Sequence, residues 1–541
     1  MPYGAGMASE PTSAAPPAPS TWEPLRIGAF RALWLGVLGS QVGTWMQTVG
    51  AQWLLVDEPN AATLVSLVQT ATMLPVLLLA LPAGVLADSL DRRRMMIVVQ
   101  CWQAAVGAAL TVLTLAGEMT PALLLTLTFL LGCGAAMTIP AYQAVIPELV
   151  PRAQLHSASS LGAISMNVAR AVGPAAAGLL IAHIGVAAVF ALNAATFVAF
   201  ALVLQFWRRP AEDDGQPAEP FMAALRVGTR FVRHSPVMRR FLLRVALFTL
   251  PGVALWALLP LVASQRLGMG PGGYGLLLAA LGAGAIAGAA VMPRLRVLLS
   301  DNQMLVLSSL VYAAVLAVVA LVPHAVVVGL ALVPAGTAWM AVLSNVNAIV
   351  QMFLPRWVLA RGLGAYQIVF FGAQGVGALV WGLVAGQIGL VATFLAAAVI
   401  TAAGAATVRR WPLVDTQHLD QSPAVYWPEP ELSVEPDPSA GPVVITVTYT
   451  VSPDNEPSFL EAMRGVRRSR MRTGAVQWGL FRHGEVPDQM VEMYVVPTWD
   501  EHLRQHTGRL TGVDRHIEER AHAFTDVPPA VAHLLPPDGP G

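Results

Sequence analysis

Charged residues are scarce in this chain of 541 residues, and lysine is absent. Asp, Glu and Arg together make up 12% of the sequence, whereas soluble globular chains average about 25% charged residues. The formal net charge is zero, so no bulk positive field is available to attract nucleic acid. Cysteine is also rare. Cys101 and Cys133 lie in apolar runs without a CxxC or histidine neighbour, so the sequence suggests neither a disulfide framework nor a zinc site.

Long apolar runs fill most of the chain instead. A helix that crosses about 30 Å of hydrocarbon needs about 20 mostly apolar residues, and the sequence contains twelve such runs. They predict an all-α membrane protein with twelve transmembrane helices in the lipid bilayer, preceded by a disordered tail over residues 1–21. The predicted spans are 32–55, 64–87, 95–117, 119–141, 157–183, 186–206, 241–264, 273–293, 304–322, 325–350, 362–386 and 388–408.

Arginines fall almost entirely in alternate loops between these runs. The loop after the second run carries Arg92, Arg93 and Arg94, and the loop between the sixth and seventh runs is also rich in arginine, whereas the intervening loops carry only Arg266. Because basic loops stay on the cytoplasmic side, both termini are predicted to be cytoplasmic.

The two halves of the apolar region match each other at an offset of 204 residues. Identical residues recur in the same span order, which predicts two parallel six-helix repeats over 22–210 and 241–410, joined by a cytoplasmic loop over 211–240. The matched pairs include Gly84 with Gly288, Arg92 with Arg296, Gly173 with Gly377, Gly178 with Gly382, and Gly185 with Gly389.

A short signature follows the second run. It consists of Gly84 and Asp88, followed by Asp91, Arg92 and Arg93. This pattern resembles the cytoplasmic loop of the major facilitator superfamily. Asp88 at a helix end can accept hydrogen bonds from arginines or from a neighbouring helix N-terminus. We expect this gating loop to latch the two halves on the cytoplasmic side. The alternative is a simple positive-inside cluster.

Two further features are the segment 139–181 and a soluble tail. Together they resemble the enterobactin-exporter-like branch, known as transmembrane secretion effectors. Within that segment, Gly173, Pro174 and Gly178 resemble the Gly-Pro motif of drug antiporters and predict a helix kink. The resemblance implies a secondary active exporter of a siderophore, drug or secondary metabolite in the bacterial inner membrane. An importer or a membrane sensor remains an alternative.

Polar residues inside the apolar runs are the candidates for the substrate pathway. Arg170 lies near the centre of the fifth run, and its repeat mate is Gln374. Gln41, Thr44 and Thr48 share one face of the first helix. Interhelical hydrogen bonding is the alternative role for the residues of the first helix. The alternative for Arg170 is bonding to backbone carbonyls opened by a kink at Pro174. Gln69, Gln143, Asn167 and Asn347 complete the predicted set. Arg244 lies only one turn into the seventh run, and we expect its side chain to extend to the cytoplasmic surface. Because no carboxylate lies in the middle of a run, coupling to an ion such as H+ has no predicted carrier.

The chain beyond residue 410 changes character. A Pro-rich linker over 411–441 precedes a βαββα(β) pattern over 442–537, which suggests a small ferredoxin-like α+β domain and resembles dimeric barrel domains of the monooxygenase type. Homodimerisation through this domain follows from the resemblance, and a fused enzymatic domain is the alternative. The second helix of this pattern is predicted over 498–524. His502 and His506 share a face of this helix, but with no third ligand we predict a solvated surface. No cofactor or metal is predicted.

Overall fold

Helices form the whole membrane part of the described structure. The computed structural model describes residues 22–207, 221–355, 357–416, 419–420, 422, 424–427, 432 and 436–536, without the side chains of 80–81, 84–85, 87–89, 152, 156, 221–227 and 360. The predicted tail over 1–21 lies outside this range. The first half contains α1 (Gly28–Leu54), α2 (Ala61–Ser89), α3 (Arg92–Leu115), α4 (Pro121–Leu149), α5 (Leu155–His183) and α6 (Val186–Phe206).

The second half follows a short extra helix. Its helices are α8 (Pro236–Leu261), α9 (Pro271–Leu298), α10 (Asp301–Leu321), α11 (Ala325–Phe353) and α12 (Leu359–Ala406), and the extra helix is α7 (Phe221–His234). Part of the predicted central loop is therefore helical. Apolar residues recur at helical spacing in α7, and Phe231 is buried against Phe353 and Trp357, which explains why this segment folds.

Ten helical segments of the described chain are long and apolar enough to cross a membrane. The helix α1 is not among them, because its glutamines and threonines dilute its apolar character. The helix α12 has 48 residues and is interrupted at Gly389, which has φ 78° and ψ 166°. Its repeat mate Gly185 separates α5 from α6 with φ 110° and ψ 170°. The two halves thus turn at equivalent glycines, while the count of twelve spans stays a prediction.

Arg244 corrects one expectation about the seventh span. The sequence suggests that this side chain extends to the membrane surface, but it is 2% exposed. Its guanidinium donates to the carbonyl oxygens of Gly404 and Thr407 at 3.1 and 2.9 Å, and its Nε to that of Trp411 at 2.9 Å. Gly404 lies in the last turn of α12, and Thr407 and Trp411 follow that helix. Arg244 therefore holds α8 against the end of α12.

A four-stranded antiparallel sheet and the helices around it form the chain beyond the linker, which we continue to call the soluble domain after the prediction. Its strands are β1 (Val443–Thr450), β2 (Gln477–Arg482), β3 (Gln489–Val496) and β4 (Ala530–Leu534), in the order β2-β3-β1-β4. The helix α13 (Glu456–Thr473) connects β1 to β2, and α14 (Trp499–Arg504) and α15 (Gly512–His522) lie between β3 and β4. Strand β1 alternates buried and partly exposed residues along its length, so one face of the sheet packs on the helices.

Two expectations about this domain are wrong. The second helix is not continuous over 498–524, because a wide π-helical turn at Gln505–Arg509 separates α14 from α15. His502 and His506 are not on a solvated surface: they are 1% and 9% exposed. In the linker, Trp427 donates to Glu518 Oε2 at 2.9 Å, so this described part of the linker packs on the domain.

Candidate functional site

A cavity of about 350 Å³ lies between the two halves of the membrane part. The first half contributes mainly polar side chains from α1, α2, α3 and α5. The second half contributes Gln374 and a group of aromatic side chains. Six of the nine predicted pathway residues lie in its wall, namely Gln41, Thr44, Thr48, Gln69, Arg170 and Gln374.

The helix α1 presents its polar face to this cavity. The Thr44 hydroxyl donates to the Ser40 carbonyl at 2.8 Å, and the Thr48 hydroxyl donates to the Thr44 carbonyl at 3.0 Å. Their hydrogens are therefore used within the helix, and their oxygens can accept bonds from a ligand. Gln41 Oε1 is buried and has no hydrogen-bond partner among the described residues.

Arg170 supplies the positive charge of the cavity wall. Its guanidinium carbon lies 5.8 Å from the centroid of the Trp45 ring, a cation–π distance. Its Nε atom is buried and has no hydrogen-bond partner in the described part of the chain. Among the wall residues that the structure describes, none is a carboxylate. The charge is therefore available to a bound group.

Aromatic rings form the opposite wall. Trp256 lies between Trp45 and Trp339, with ring centroids 5.8 Å from each. Phe370 and Phe371 of α12 continue this surface, with centroids 5.2 Å apart. Such rings provide large apolar contact area with little loss of side-chain entropy on binding.

Several residues of the cavity wall are not among those predicted from the sequence. Gln100 and Gln103 of α3 are hydrogen-bonded to each other at 3.2 Å, and Gln100 also contacts the Thr138 hydroxyl at 3.3 Å. Tyr142 also lies in the wall. Two amides three residues apart in the middle of an apolar run are a signal of the same kind as Gln41 and Thr44, and they could have been found.

Three predicted pathway residues lie outside the wall. Gln143 is exposed, and Asn347 is partly buried away from the cavity. Asn167 donates to the Ala163 carbonyl of its own helix at 3.0 Å. Asn167 and Arg170 are only three residues apart on α5, so small rotations of the helix decide which polar side chain reaches the cavity.

The two halves close on each other at the end that carries the α1–α2 and α5–α6 connections. The Tyr274 hydroxyl donates to Gln52 Oε1 at 2.6 Å, and Thr70 Oγ1 donates to the Gly375 carbonyl at 2.9 Å. A Cβ at Gly178 would lie 2.8 Å from the Pro271 carbonyl oxygen, so α5 and α9 touch through their backbones. We call this the closed end, and the end with the Asp91 loop the signature end.

The signature end makes contacts inside the first half. Asp91 caps α3 by accepting from the Arg94 backbone N–H at 2.8 Å. Arg92 pairs with Glu148 of α4 at 2.7 Å, and Arg93 donates to the Leu204 carbonyl of α6 at 2.8 Å. The Asp88 side chain lies outside the described set, so the expected latch stays a prediction.

The Gly-Pro motif lies where α5 meets two other helices. The helix runs from Leu155 to His183 through Pro174. A Cβ at Gly173 would lie 2.7 Å from Cβ of Trp45, and Gly178 meets α9 at the closed end. The structure therefore places these glycines at close helix contacts, and the predicted kink stays a prediction.

The sequence profile of the transmembrane secretion effector family matches residues 19–539. The chain belongs to this family. It is a transporter of the major facilitator superfamily, and its fold is that of solved members. A bacterial homologue of the human lysosomal transporter Spinster, solved in an inward-facing and occupied conformation, superposes with a TM-score of 0.58 and 16% identity, covering 72% of this chain and 98% of that one.

Two curated relatives are similar in sequence to this transporter. The multidrug efflux pump Tap of Mycolicibacterium fortuitum is 28% identical over 389 residues, which is 69% of this chain and 92% of that protein. The uncharacterized MFS-type transporter YfiS of Bacillus subtilis (strain 168) is 30% identical over 218 residues. That match covers 39% of this chain, which spans about half, 51%, of the relative's length.

Proposed function

We propose that this transporter is a secondary active exporter of a small molecule and that the cavity between its halves is the substrate site. The observation that carries the proposal is Arg170, a cation without a carboxylate partner among the described residues, set in the wall beside Trp45. Buried charges without partners are costly, and within a membrane they mark substrate and ion pathways. Similarity to the efflux pump Tap supports export.

The wall chemistry favours an apolar, planar substrate with a negative or strongly accepting group. Trp256, Trp339 and Phe370 would contact the planar body, while Arg170 would bind the acceptor group. Gln41 and Gln374 would set its orientation through amide hydrogen bonds. Siderophores, drugs and secondary metabolites include compounds of this kind.

The transport cycle proposed here is alternating access between two six-helix repeats. Twelve spans follow if α1 crosses the membrane and α12 crosses it twice around Gly389. With the signature end and both termini in the bacterial cytoplasm, contacts at the closed end would make this the inward-facing state. Asp88 would latch the signature end when that side closes, and Pro174 would give α5 the kink it needs.

The remaining parts of the proposal concern coupling and the soluble domain. An ion gradient such as that of H+ would drive export, without a carboxylate carrier among the described wall residues. The strand order β2-β3-β1-β4 and the helices between the strands support a ferredoxin-like fold. We assign that domain to the cytoplasm, where it would join two copies of the chain.

Inverted membrane vesicles test export directly. Vesicles with the wild-type chain should accumulate an anionic aromatic compound from a drug and siderophore panel, and an imposed pH gradient should increase the accumulation. Arg170→Ala should reduce it at least about tenfold, Arg170→Lys should restore part of it, and Asn167→Ala, on the same helix outside the cavity, should match wild type. If vesicles with Arg170→Ala accumulate as much compound as wild type, Arg170 is not part of the substrate site. Release from loaded inverted vesicles, without uptake by them, would favour import.

A further inference from the structure

Three histidines meet in the soluble domain between its second helical region and the edge strand β4. His502 lies on α14, His506 in the π-helical turn and His533 on β4. One ring nitrogen from each lies within 4.8 Å of the other two. We propose that His502, His506 and His533 form a binding site for one divalent transition metal ion of the zinc class.

The closest pair already has the spacing of metal ligands. Nε2 of His502 and Nε2 of His506 are 3.2 Å apart. In a tetrahedral zinc site with Zn–N bonds of about 2.0–2.1 Å, two ligand nitrogens lie about 3.3–3.4 Å apart. An ion can therefore bind both rings with almost no movement. His533 is partly exposed on an edge strand, so its ring has room to turn toward the pair.

A hydrogen-bond chain fixes the tautomer of His502. Its Nδ1 lies 3.2 Å from Gln505 Oε1, and Gln505 Nε2 donates to the Thr473 hydroxyl at 3.3 Å. Because the amide nitrogen is committed to Thr473, the amide oxygen faces His502, so Nδ1 carries the proton. Nε2 then presents a lone pair to His506. Orientation of a ligand imidazole through its second nitrogen is typical of metal sites.

Neither neutral tautomer of His506 gives both of its ring nitrogens a hydrogen-bond partner among the described residues. Its Nδ1 is buried and has no hydrogen-bond partner among the described residues. If Nδ1 carries the proton, the Nε2 lone pairs of His502 and His506 face each other. If Nε2 carries it, the Nδ1 lone pair is buried without a donor. A metal ion bound by both Nε2 atoms removes the lone-pair repulsion.

Histidine binds a metal ion through a neutral imidazole, and His502 and His506 are buried in the domain. An all-imidazole donor set suits zinc, copper, nickel and iron, whereas magnesium and calcium prefer oxygen ligands. Three protein ligands leave a fourth position for water.

The experiment measures metal binding to the full-length chain in detergent, purified through a tag that contains no histidine. After treatment with a chelator, Zn2+ is added by equilibrium dialysis and counted by elemental analysis, and Co2+ is titrated for its tetrahedral absorption. Wild type should bind one ion per chain. Removal of an outer-shell group weakens metal sites by about 10–100-fold, so His502→Gln, His506→Gln and His533→Gln should each weaken binding at least that much. His516→Gln changes a histidine whose side chain is 73% exposed, and it should bind like wild type.

Thermal unfolding separates loss of the site from loss of the fold. Zn2+ should raise the melting temperature of wild type and of His516→Gln, but not that of His533→Gln, which changes only a partly exposed edge position. Mg2+ should have no effect. The proposal is overturned if wild type binds no Zn2+, or if His533→Gln, His502→Gln and His506→Gln all retain wild-type binding.

Discussion

Arg170 in the membrane cavity and Arg470 in the soluble domain both bring a positive charge into the protein interior, but their surroundings differ. Arg470 is 3% exposed and pairs with two glutamates, through Glu492 Oε1 at 3.1 Å from its Nε and through Glu518 at its Nη1. Arg170 lies beside the Trp45 ring, and none of the described residues that line its cavity is a carboxylate.

The comparison separates structural charge from functional charge. Glu492 also accepts from the Tyr449 hydroxyl and the Trp478 indole, each at 2.8 Å, so the charges around Arg470 are satisfied within the domain. Such a network fixes one arrangement of its side chains. The Arg170 side chain is satisfied only in part, which leaves its remaining hydrogen-bonding capacity for something that enters and leaves the cavity.

The largest expected effect comes from breaking the satisfied network. Arg470→Met should destabilise the soluble domain by about 3–5 kcal/mol, because Glu492 and Glu518 would remain buried without their cation. Chemical unfolding followed by tryptophan fluorescence measures this in the full chain. Arg468→Met, an exposed position on the same helix, should change stability by less than about 0.5 kcal/mol. Equal small effects for the two variants would show that the network is not structural.

Removal of the Arg170 charge should lower transport and leave stability unchanged. Arg170→Ala should reduce vesicle transport at least about tenfold, equivalent to about 1.4 kcal/mol, since a charged contact to substrate is lost. Its melting temperature should stay near that of wild type, because no buried partner is left behind. If Arg170→Ala instead unfolds like Arg470→Met while transport per folded molecule is unchanged, the charge is structural and the comparison fails.

Acidification should affect the metal-free soluble domain through its histidines. The folded-state pKa values of His502 and His506 lie below the usual 6.5. Between these lowered values and pH 6.5, the unfolded chain therefore binds more protons than the folded chain. Stability present above pH 6.5 should therefore be lost as the pH falls toward about 4. Melting temperatures across this range should show a shallower slope in His502→Gln, whereas His516→Gln should follow wild type. If the slope in His502→Gln is identical to that of wild type, the loss of stability on acidification does not come from His502.

The smallest expected effect concerns the signature end. Asp91→Ala should destabilise the chain by roughly 1 kcal/mol through loss of the α3 N-cap, while Asp91→Asn should cost only a few tenths. A thermal scan in detergent distinguishes the two variants. A large transport defect in Asp91→Asn, which keeps the cap but loses the charge, would instead assign Asp91 to gating.

The sequence predicts those features that depend on local pattern. The length of the apolar runs indicates the helices, and the positions of the arginines indicate the loops between them. The repeat offset of 204 residues anticipates the equivalent turns at Gly185 and Gly389. Six residues of the cavity wall could be chosen because polar side chains are rare in apolar runs. Asn167 shows the limit of that signal: rarity does not tell which face of α5 meets the cavity.

Features that depend on distant pairing escape the sequence. His533 joins His502 and His506 only because β4 pairs with β1, where His533 lies opposite Ile445. A continuous helix over 498–524 is expected from the sequence, so the π-helical turn that buries His506 is missed. Burial of these rings is a tertiary property, so a helix-face pattern alone predicts a solvated surface and misses the cluster.

Substrate protection of single cysteines tests the central claim that the cavity is the substrate site. The chain has two cysteines, so a Cys101→Ser, Cys133→Ser background is accessible. In that background, a compound transported by the vesicles should slow maleimide labelling of Gln69→Cys and Gln374→Cys in the wall, but not of Gln143→Cys outside it. Equal protection at Gln143, or no protection at Gln69 and Gln374 by a compound that is transported, would contradict the account.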